Sequence, residues 1–348
     1  MHGVLLLDKP AGGSSNHALQ RVKRLYEARK AGHTGSLDPL ATGMLPICFG
    51  EATKLAAFLI EADKGYETTL RLGVTTDSGD ADGRTLEERP VPDGLDAARF
   101  AAACAAFVGA QRQVPPMVSA IKVDGQRLYR LARAGVSVER EPRSVTIHAL
   151  EVLAFDGTSA RLAVRCSKGT YIRSLVTDIG ERLGCGAHVT ALRRTFVAPF
   201  AGETVAPETL ERVAAEAATP EDARAALDAR LLPVDAGLGH LPELGLEPAA
   251  VERFRHGQTV TLREPLPPSA LAPSAPGSIH ERSEAAPAGG RSSSVGDERV
   301  AIDEGGTAAS GPPSVPWRVR EPSGRLVGLG TPSSDGRRVA PTRVLQWD

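Results

Sequence analysis

Hydrophobic side chains recur at two different periods along this chain. Between 66 and 73, Tyr66, Thr68, Leu70 and Leu72 alternate with their neighbours, which predicts a strand with one buried face. Between 171 and 183, Ile172, Leu175, Val176, Ile179 and Leu183 fall at helical spacing with Gly184 as the stop, which predicts a helix. Short apolar runs predict further strands at 4–7, 44–49, 118–123, 144–155 and 160–166. Helices are expected after Ser14 or Ser15, over 51–60, near 95–108 and across the acidic stretch 203–232. Strands and helices mix without regular βαβ alternation, so the expected class is α+β with a mixed, largely antiparallel sheet.

The pattern breaks down towards the C-terminus. From Pro265 to Pro316, 34 of 52 residues are Pro, Gly, Ser or Ala, too few apolar groups to offset ordering entropy, so disorder is expected there. Order is expected to return at 317–348, where Arg318-Val319 and Leu326-Val327 with Leu329 predict short strands joined at Gly324. A chain of 348 residues has room for about two domains. The expected division is 1–240, including the acidic helical segment, and 241–348, a small β module interrupted at about 264–316.

Composition narrows the class. No apolar run reaches the roughly eighteen residues of a membrane span, and the first residues lack a signal peptide's layout. Cys48, Cys104, Cys166 and Cys185 form no CxxC pair, which argues against zinc or a disulfide framework and suits the reducing cytoplasm. The net charge of −1 conceals a split. Residues 1–200 hold 26 Lys and Arg against 21 Asp and Glu, while 201–348 hold 15 against 21. The basic part permits an anionic partner without demanding one.

The segment 32–43 carries three glycines and Pro39, so it cannot be the middle of a regular element. Its one carboxylate, Asp38, sits in a Leu-Asp-Pro-Leu frame whose proline restricts Asp38 to extended backbone. A stiffly presented carboxylate suits a nucleophile or general acid–base; an Asx-type turn is the alternative, and loop chemistry alone leaves both open. Arg173 falls in the first turn of the helix after 171, off its buried stripe, where a cation is electrostatically poor. It implies a partner carboxylate or a solvated surface position. No P-loop or GxGxxG pattern occurs in 32–43, and the chain has no HExxH or GxSxG. The stretch DSGDADG at 77–83 lacks the key EF-hand ligands, so neither metal nor cofactor is expected.

Four segments carry a resemblance: DKPAGGSSN at 8–16, GHTGSLDPLATGMLPICFGEATK at 32–54, DKGYETTLRLG at 63–73 and CSKGTYIRSLVTDIGERLGCGAHVTALRR at 166–194. Together they resemble the TruB family of bacterial tRNA pseudouridine-55 synthases, from residue 1 to about 200 and again near the C-terminus. The resemblance implies isomerisation of one T-loop uridine of tRNA, with the C1′–N1 bond broken and uracil rejoined through C5. It implies Asp38 as nucleophile, Tyr66 stacking on the target base and Arg173 paired with the aspartate. It further places His33, Asp80, Tyr171 and Leu192 in substrate binding. His33 aids base extrusion, Asp80 engages Arg173, Tyr171 stands beside it, and Leu192 lines the pocket.

The same resemblance implies a pseudouridine synthase catalytic domain with a PUA-like C-terminal module, no cofactor, no guide RNA and a monomer. The chemistry is compatible, since the isomerisation is neither redox nor coupled synthesis and a base inside a folded loop must be flipped out and stacked. The insertion at about 264–316 departs from the family pattern and is expected to be dispensable for catalysis. The alternative to an enzyme is an RNA-binding or tRNA-folding protein on the same scaffold.

Overall fold

The computed structural model describes residues 1–119, 121–123, 126–133, 135–136, 138–200, 202–271 and 315–347. These form two compact units, Met1–His240 and Leu241–Gln346, with Trp347 grouped with the first.

In the first unit the strands are β1 (Gly3–Lys9), β2 (Ala31–His33), β3 (Thr42–Phe49), β4 (Lys64–Leu72), β5 (Val74–Thr76), β6 (Thr85–Glu88), β7 (Gly109–Gln113), β8 (Lys122–Val123), β9 (Gln126–Arg127), β10 (Arg143–Phe155), β11 (Ser159–Cys166) and β12 (Ala187–Val197). The helices are α1 (Ser15–Leu25), α2 (Ala56–Ile60), α3 (Ala97–Ala105), α4 (Leu128–Arg133), α5 (Ile172–Arg182), α6 (Pro207–Glu216) and α7 (Pro220–Asp228). The large sheet runs β1-β3-β12-β4-β11-β10-β7, with β2 paired to β3. Every neighbouring pair in it is antiparallel except β12 with β3, so the fold is α+β with a mixed, largely antiparallel sheet. The short ribbons β5-β6 and β8-β9 stand apart from it.

The alternation expected at 66–73 is present: Thr68, Leu70 and Leu72 of β4 are buried while Glu67 and Arg71 are exposed. β3 is buried over seven of its eight residues, as a strand covered on both faces must be. Helix α5 buries Ile172, Leu175, Val176 and Ile179 in the main core, each such side chain contributing about 1.5–3 kcal/mol. It ends where Gly184 takes φ +83° and donates its N–H to the Glu181 carbonyl. Gly180 lets this helix lie directly on the chain entering β12, since a Cβ there would come within 2.3 Å of Ala187 N. Ser14, one of the two candidate caps, accepts the His17 amide at the start of α1.

Several elements differ from expectation. The helix expected over 51–60 divides into a 3-10 turn, Gly50–Lys54, and α2, because i to i+3 bonds such as Leu55 N–H to Ala52 O tighten its first half. Of the strand expected at 118–123, the described residues form only the two of β8. The segment 203–232 folds as two helices, α7 restarting behind the Thr219 cap and Pro220. Arg173, expected off the buried stripe of α5, is only 2% exposed, because loops packed over the helix N-terminus enclose it.

The second unit is a five-stranded sheet, β13 (Glu243–Gly245), β14 (Val260–Thr261), β15 (Trp317–Arg320), β16 (Leu326–Pro332) and β17 (Arg338–Val344), in the order β13-β15-β16-β17-β14. With α8 (Pro248–Arg255) it encloses Leu246, Val251, Phe254, Val260, Val319, Val327 and Val339. Of the stretch expected to lack order, 272–314 lies outside the described residues. Its first part does carry structure: Leu266 N–H donates to Gly336 O at 2.9 Å, and Pro268–Leu271 is helical.

Candidate active site

The loop from His33 to Thr42 connects β2 to β3 and is held from several sides. Ser15 on α1 bonds both backbone atoms of Leu37, accepting its N–H at 2.7 Å and donating to its carbonyl at 3.1 Å. The Lys9 ammonium, fully buried at the end of β1, donates to the carbonyls of Pro10 and Ala41 at 2.8 Å and of Pro39 at 3.4 Å. Arg194 of β12, also buried, donates from Nε to Met44 O at 2.7 Å and from a terminal nitrogen to Gly35 O at 3.1 Å. Gly12 N–H reaches Pro39 O, and Leu37 and Ala41 are buried in the core cluster. Gly43, at φ +98°, closes the loop where a Cβ would come within 2.2 Å of Arg194 O. Side-chain hydrogen bonds to charged donors each contribute about 1.5–3 kcal/mol, so this loop is fixed rather than merely stiff.

Asp38 projects from that frame toward α5. Its Oδ2 lies 2.8 Å from Arg173 Nε, and Asp80 Oδ2 lies 3.6 Å from the same nitrogen. The Nε–H does not lie along the short line, so the contact is an ion pair rather than an aligned hydrogen bond. The terminal nitrogens of Arg173 donate to Ser78 O and Val118 O, both at 2.7 Å, which fixes the guanidinium between the two carboxylates. Asp80 is itself buried and accepts Ser78 Oγ and the Asp82 amide, while the backbone on either side of it bonds Val189 of β12. Arg173 therefore has its partner carboxylate, and the Asx-turn and solvated-arginine alternatives give way.

The electrostatics differ from a simple pairing argument, in which Arg173 lowers the Asp38 pKa. Burial pushes the Asp38 carboxyl above its ordinary value and outweighs the pull of Arg173, with Asp80 adding to the rise. A partly desolvated carboxylate held by a cation is more basic and more nucleophilic than one in water.

Around this cluster the structure gathers the other expected residues at differing distances. Tyr66 of β4 is half-buried and directly opposite Arg194 in the β4–β12 register, on the same face of the sheet. Burial raises its phenol pKa, and the neighbouring Arg194 guanidinium pulls the other way. Tyr171 caps α5, its backbone N–H and C=O both held by the Gln113 side-chain amide, at 2.8 and 3.0 Å. Both phenols feel the Asp38 charge. His33 and Leu192 stand outside the ion-pair cluster. His33 ends β2 with a buried, unpartnered Nδ1, its imidazole pushed below the ordinary value by burial and by Arg194. Leu192 lies two residues before Arg194, in the core cluster with Leu37 and Ala41. A cavity of about 530 Å³ opens beside the loop, lined by Gly12, Leu40, Thr42, Leu192 and Arg193 among others, but Asp38 is not in its wall.

Sequence reasoning named neither Lys9, Ser15, Gln113 nor Arg194 as part of this site. All four act on backbone groups, which no side-chain pattern displays. The one available signal was Arg194 itself, a charge sharing the inward face of a strand with Leu192.

Comparison with known proteins identifies a pseudouridine synthase. Residues 23–172 match the family described as TruB family pseudouridylate synthase (N terminal domain), and 173–239 match the tRNA pseudouridylate synthase B C-terminal domain. The chain belongs to the TruB family. It is 48% identical over 346 residues to the tRNA pseudouridine synthase B of Pseudomonas aeruginosa (strain UCBPP-PA14), covering 99% of this chain and 96% of that one. The Stutzerimonas stutzeri (strain A1501) protein of the same name is 48% identical over 347 residues, covering 99% and 95%. Among solved structures, an H/ACA ribonucleoprotein bound to a substrate RNA containing 2′-deoxyuridine matches with TM-score 0.63 at 22% identity, covering 99% of this chain and 85% of that one. A Cbf5-Nop10-Gar1 complex matches with TM-score 0.62, also at 22% identity, covering 99% and 84%. At that identity the likeness is one of fold.

Proposed function

We propose that this protein isomerises uridine 55 in the T-loop of tRNA to pseudouridine, acting alone on the tRNA T-arm in the cytoplasm, without guide RNA or cofactor, with Asp38 as the nucleophile. The observation that carries this reading is the Asp38 carboxylate on its braced loop, 2.8 Å from the Arg173 guanidinium. In the reaction the C1′–N1 bond breaks, uracil turns within the pocket, C5 bonds C1′, and N1 takes up a proton as C5 loses one. No net oxidation occurs and no group is lost. Asp38 supports this by attacking either C1′ or the base, and Arg173 steadies the carboxylate before and after.

The target base has to leave the folded loop before Asp38 can reach it. Tyr66 supplies a ring on which it stacks, and His33, neutral at the loop's entrance, contacts the T-loop as the base is extruded. Asp80 holds Arg173 in place, Tyr171 borders the base from the α5 side, and Leu192 supplies an apolar wall. The names of the full-length relatives support a tRNA substrate.

The test is incubation of purified protein with unmodified tRNA transcript and no cofactor, followed by nucleoside mass spectrometry and position mapping. Wild type should place pseudouridine in the T-loop alone, and Asp38→Asn should place none. Tight tRNA binding by wild type without pseudouridine would replace this reading with that of an RNA-binding or tRNA-folding protein.

A further inference from the structure

Arg194 is one of the buried cations that the reaction above leaves unused. Its side chain is fully enclosed, and its hydrogen bonds run to carbonyl oxygens rather than to a carboxylate. Carbonyl dipoles compensate a buried charge only when several point at it together, so such an arrangement is costly unless geometry fixes it. A guanidinium does this through a rigid planar fork of five N–H donors, which a flexible ammonium lacks.

The groups on that fork are informative. Met44 O, at 2.7 Å, belongs to β3 just beyond the loop. Gly35 O, at 3.1 Å, and Ser36 O, at 3.5 Å, lie in the loop three and two residues before Asp38. On the same face of the sheet Tyr66 sits directly across from Arg194. The backbone of Arg194 pairs with Gly43 at the loop's other end, in the parallel β12–β3 contact. One residue thus meets the loop before and after the nucleophile and also meets the aromatic expected to stack on the base.

We propose that Arg194 is a positioning residue that sets the Asp38 loop and the Tyr66 ring in a single geometry, so that a disturbance at one is transmitted to the other. The proposal rests on the roles given above to Asp38 and Tyr66. A misplacement of about 1 Å is enough to cost a hundredfold in rate, which gives such a link its value.

The experiment uses the full chain with Arg194→Lys, Arg194→Gln and Tyr66→Phe. Each is followed by melting temperature, tRNA affinity, single-turnover pseudouridine formation and hydrogen exchange of peptides covering 33–43. In a folded Arg194→Lys the single-turnover rate is expected to fall by about a hundredfold or more. Its tRNA Kd should stay within about threefold, and exchange in 33–43 should quicken. Tyr66→Phe, which removes only the hydroxyl facing Arg194, should also quicken exchange in 33–43, a segment remote from it in sequence. Tyr66→Phe and Arg194→Lys should combine to less than the product of their separate rate losses.

A folded Arg194→Lys or Arg194→Gln with wild-type rate overturns the proposal. So does unchanged exchange in 33–43 on Tyr66→Phe, which decides the matter even if neither Arg194 variant folds. If wild type makes no pseudouridine, the functional reading fails, and exchange still judges the link.

Discussion

In the unit Met1–His240 the solvent-excluded side chains include Lys9, Lys64, Asp80, Arg173 and Arg194, whereas the core of the unit Leu241–Gln346 is built from leucine, valine and phenylalanine. Among the described residues of the second unit no charged side chain is fully buried. Its arginines lie nearer the surface, as in Arg320–Glu243 and Arg263–Glu247. Burying a charge is expensive unless partners replace its water, and each buried cation of the first unit has them. Lys9 and Arg194 meet loop carbonyls, Lys64 donates to Ile60 O, and Arg173 lies between two carboxylates. The second unit gains stability in the ordinary way. The first accepts a less favourable interior, and Lys9, Arg173 and Arg194 bear that cost around the Asp38 loop.

The sharpest way to test this contrast is Arg173→Met. It leaves Asp38 and Asp80 facing one another without a cation, and breaking a buried pair from one side typically costs about 3–5 kcal/mol. Single-turnover pseudouridine formation is expected to fall by about a thousandfold or more. With the group that lowers its pKa removed, Asp38 should also ionise at higher pH, so the acid limb of the pH–rate profile should move upward. Activity within tenfold of wild type, with an unmoved limb, would mean that the buried pair serves the fold alone.

Phe254→Ala probes the other side of the comparison. Phe254 is 0% exposed in the second core, and truncating such a ring costs about 3–5 kcal/mol of stability. Denaturant unfolding followed by fluorescence of Trp317, which is buried in β15, should register the loss. A change below about 1 kcal/mol would show that this core is not what holds the second unit together.

The smallest expected effect comes from His33. Its imidazole is pushed below 6.5, so the fold favours the neutral ring. That contribution is fully present above about pH 6.5 and is lost as pH falls from there through the lower folded value. Wild type should therefore lose more stability than His33→Asn on acidification below pH 6.5, as read by thermal melts. Parallel acid curves would remove His33 from the set of desolvated groups.

The contrast also explains what the sequence made visible. The alternation of β4 and the stripe of α5 were legible because apolar periodicity reports which face is buried. The second core was legible in outline for the same reason, through Val319, Val327 and Leu329. Asp38 stood out because Pro39 and the glycines around it are local. Arg173 was misplaced because periodicity assigns a charge to solvent, and only the loops carrying Ser78 and Val118, far away in sequence, enclose it. The direction of the Asp38 pKa was not legible either, since a neighbouring charge is easy to imagine from sequence and desolvation is not. Lys9 and Arg194 stayed hidden because their partners are main-chain carbonyls.

The parallel pairing of β12 with β3 places Arg193 and Arg194 against Thr42 and Gly43, some 150 residues apart in the chain. A ribosome therefore completes the aspartate's loop long before it makes the strand that seats it. Such distant closures form late in folding. A nascent chain that ends ahead of Arg194 carries the Asp38 loop without the hydrogen bonds of that residue, so the loop reaches its final setting only once most of the first unit has been synthesised.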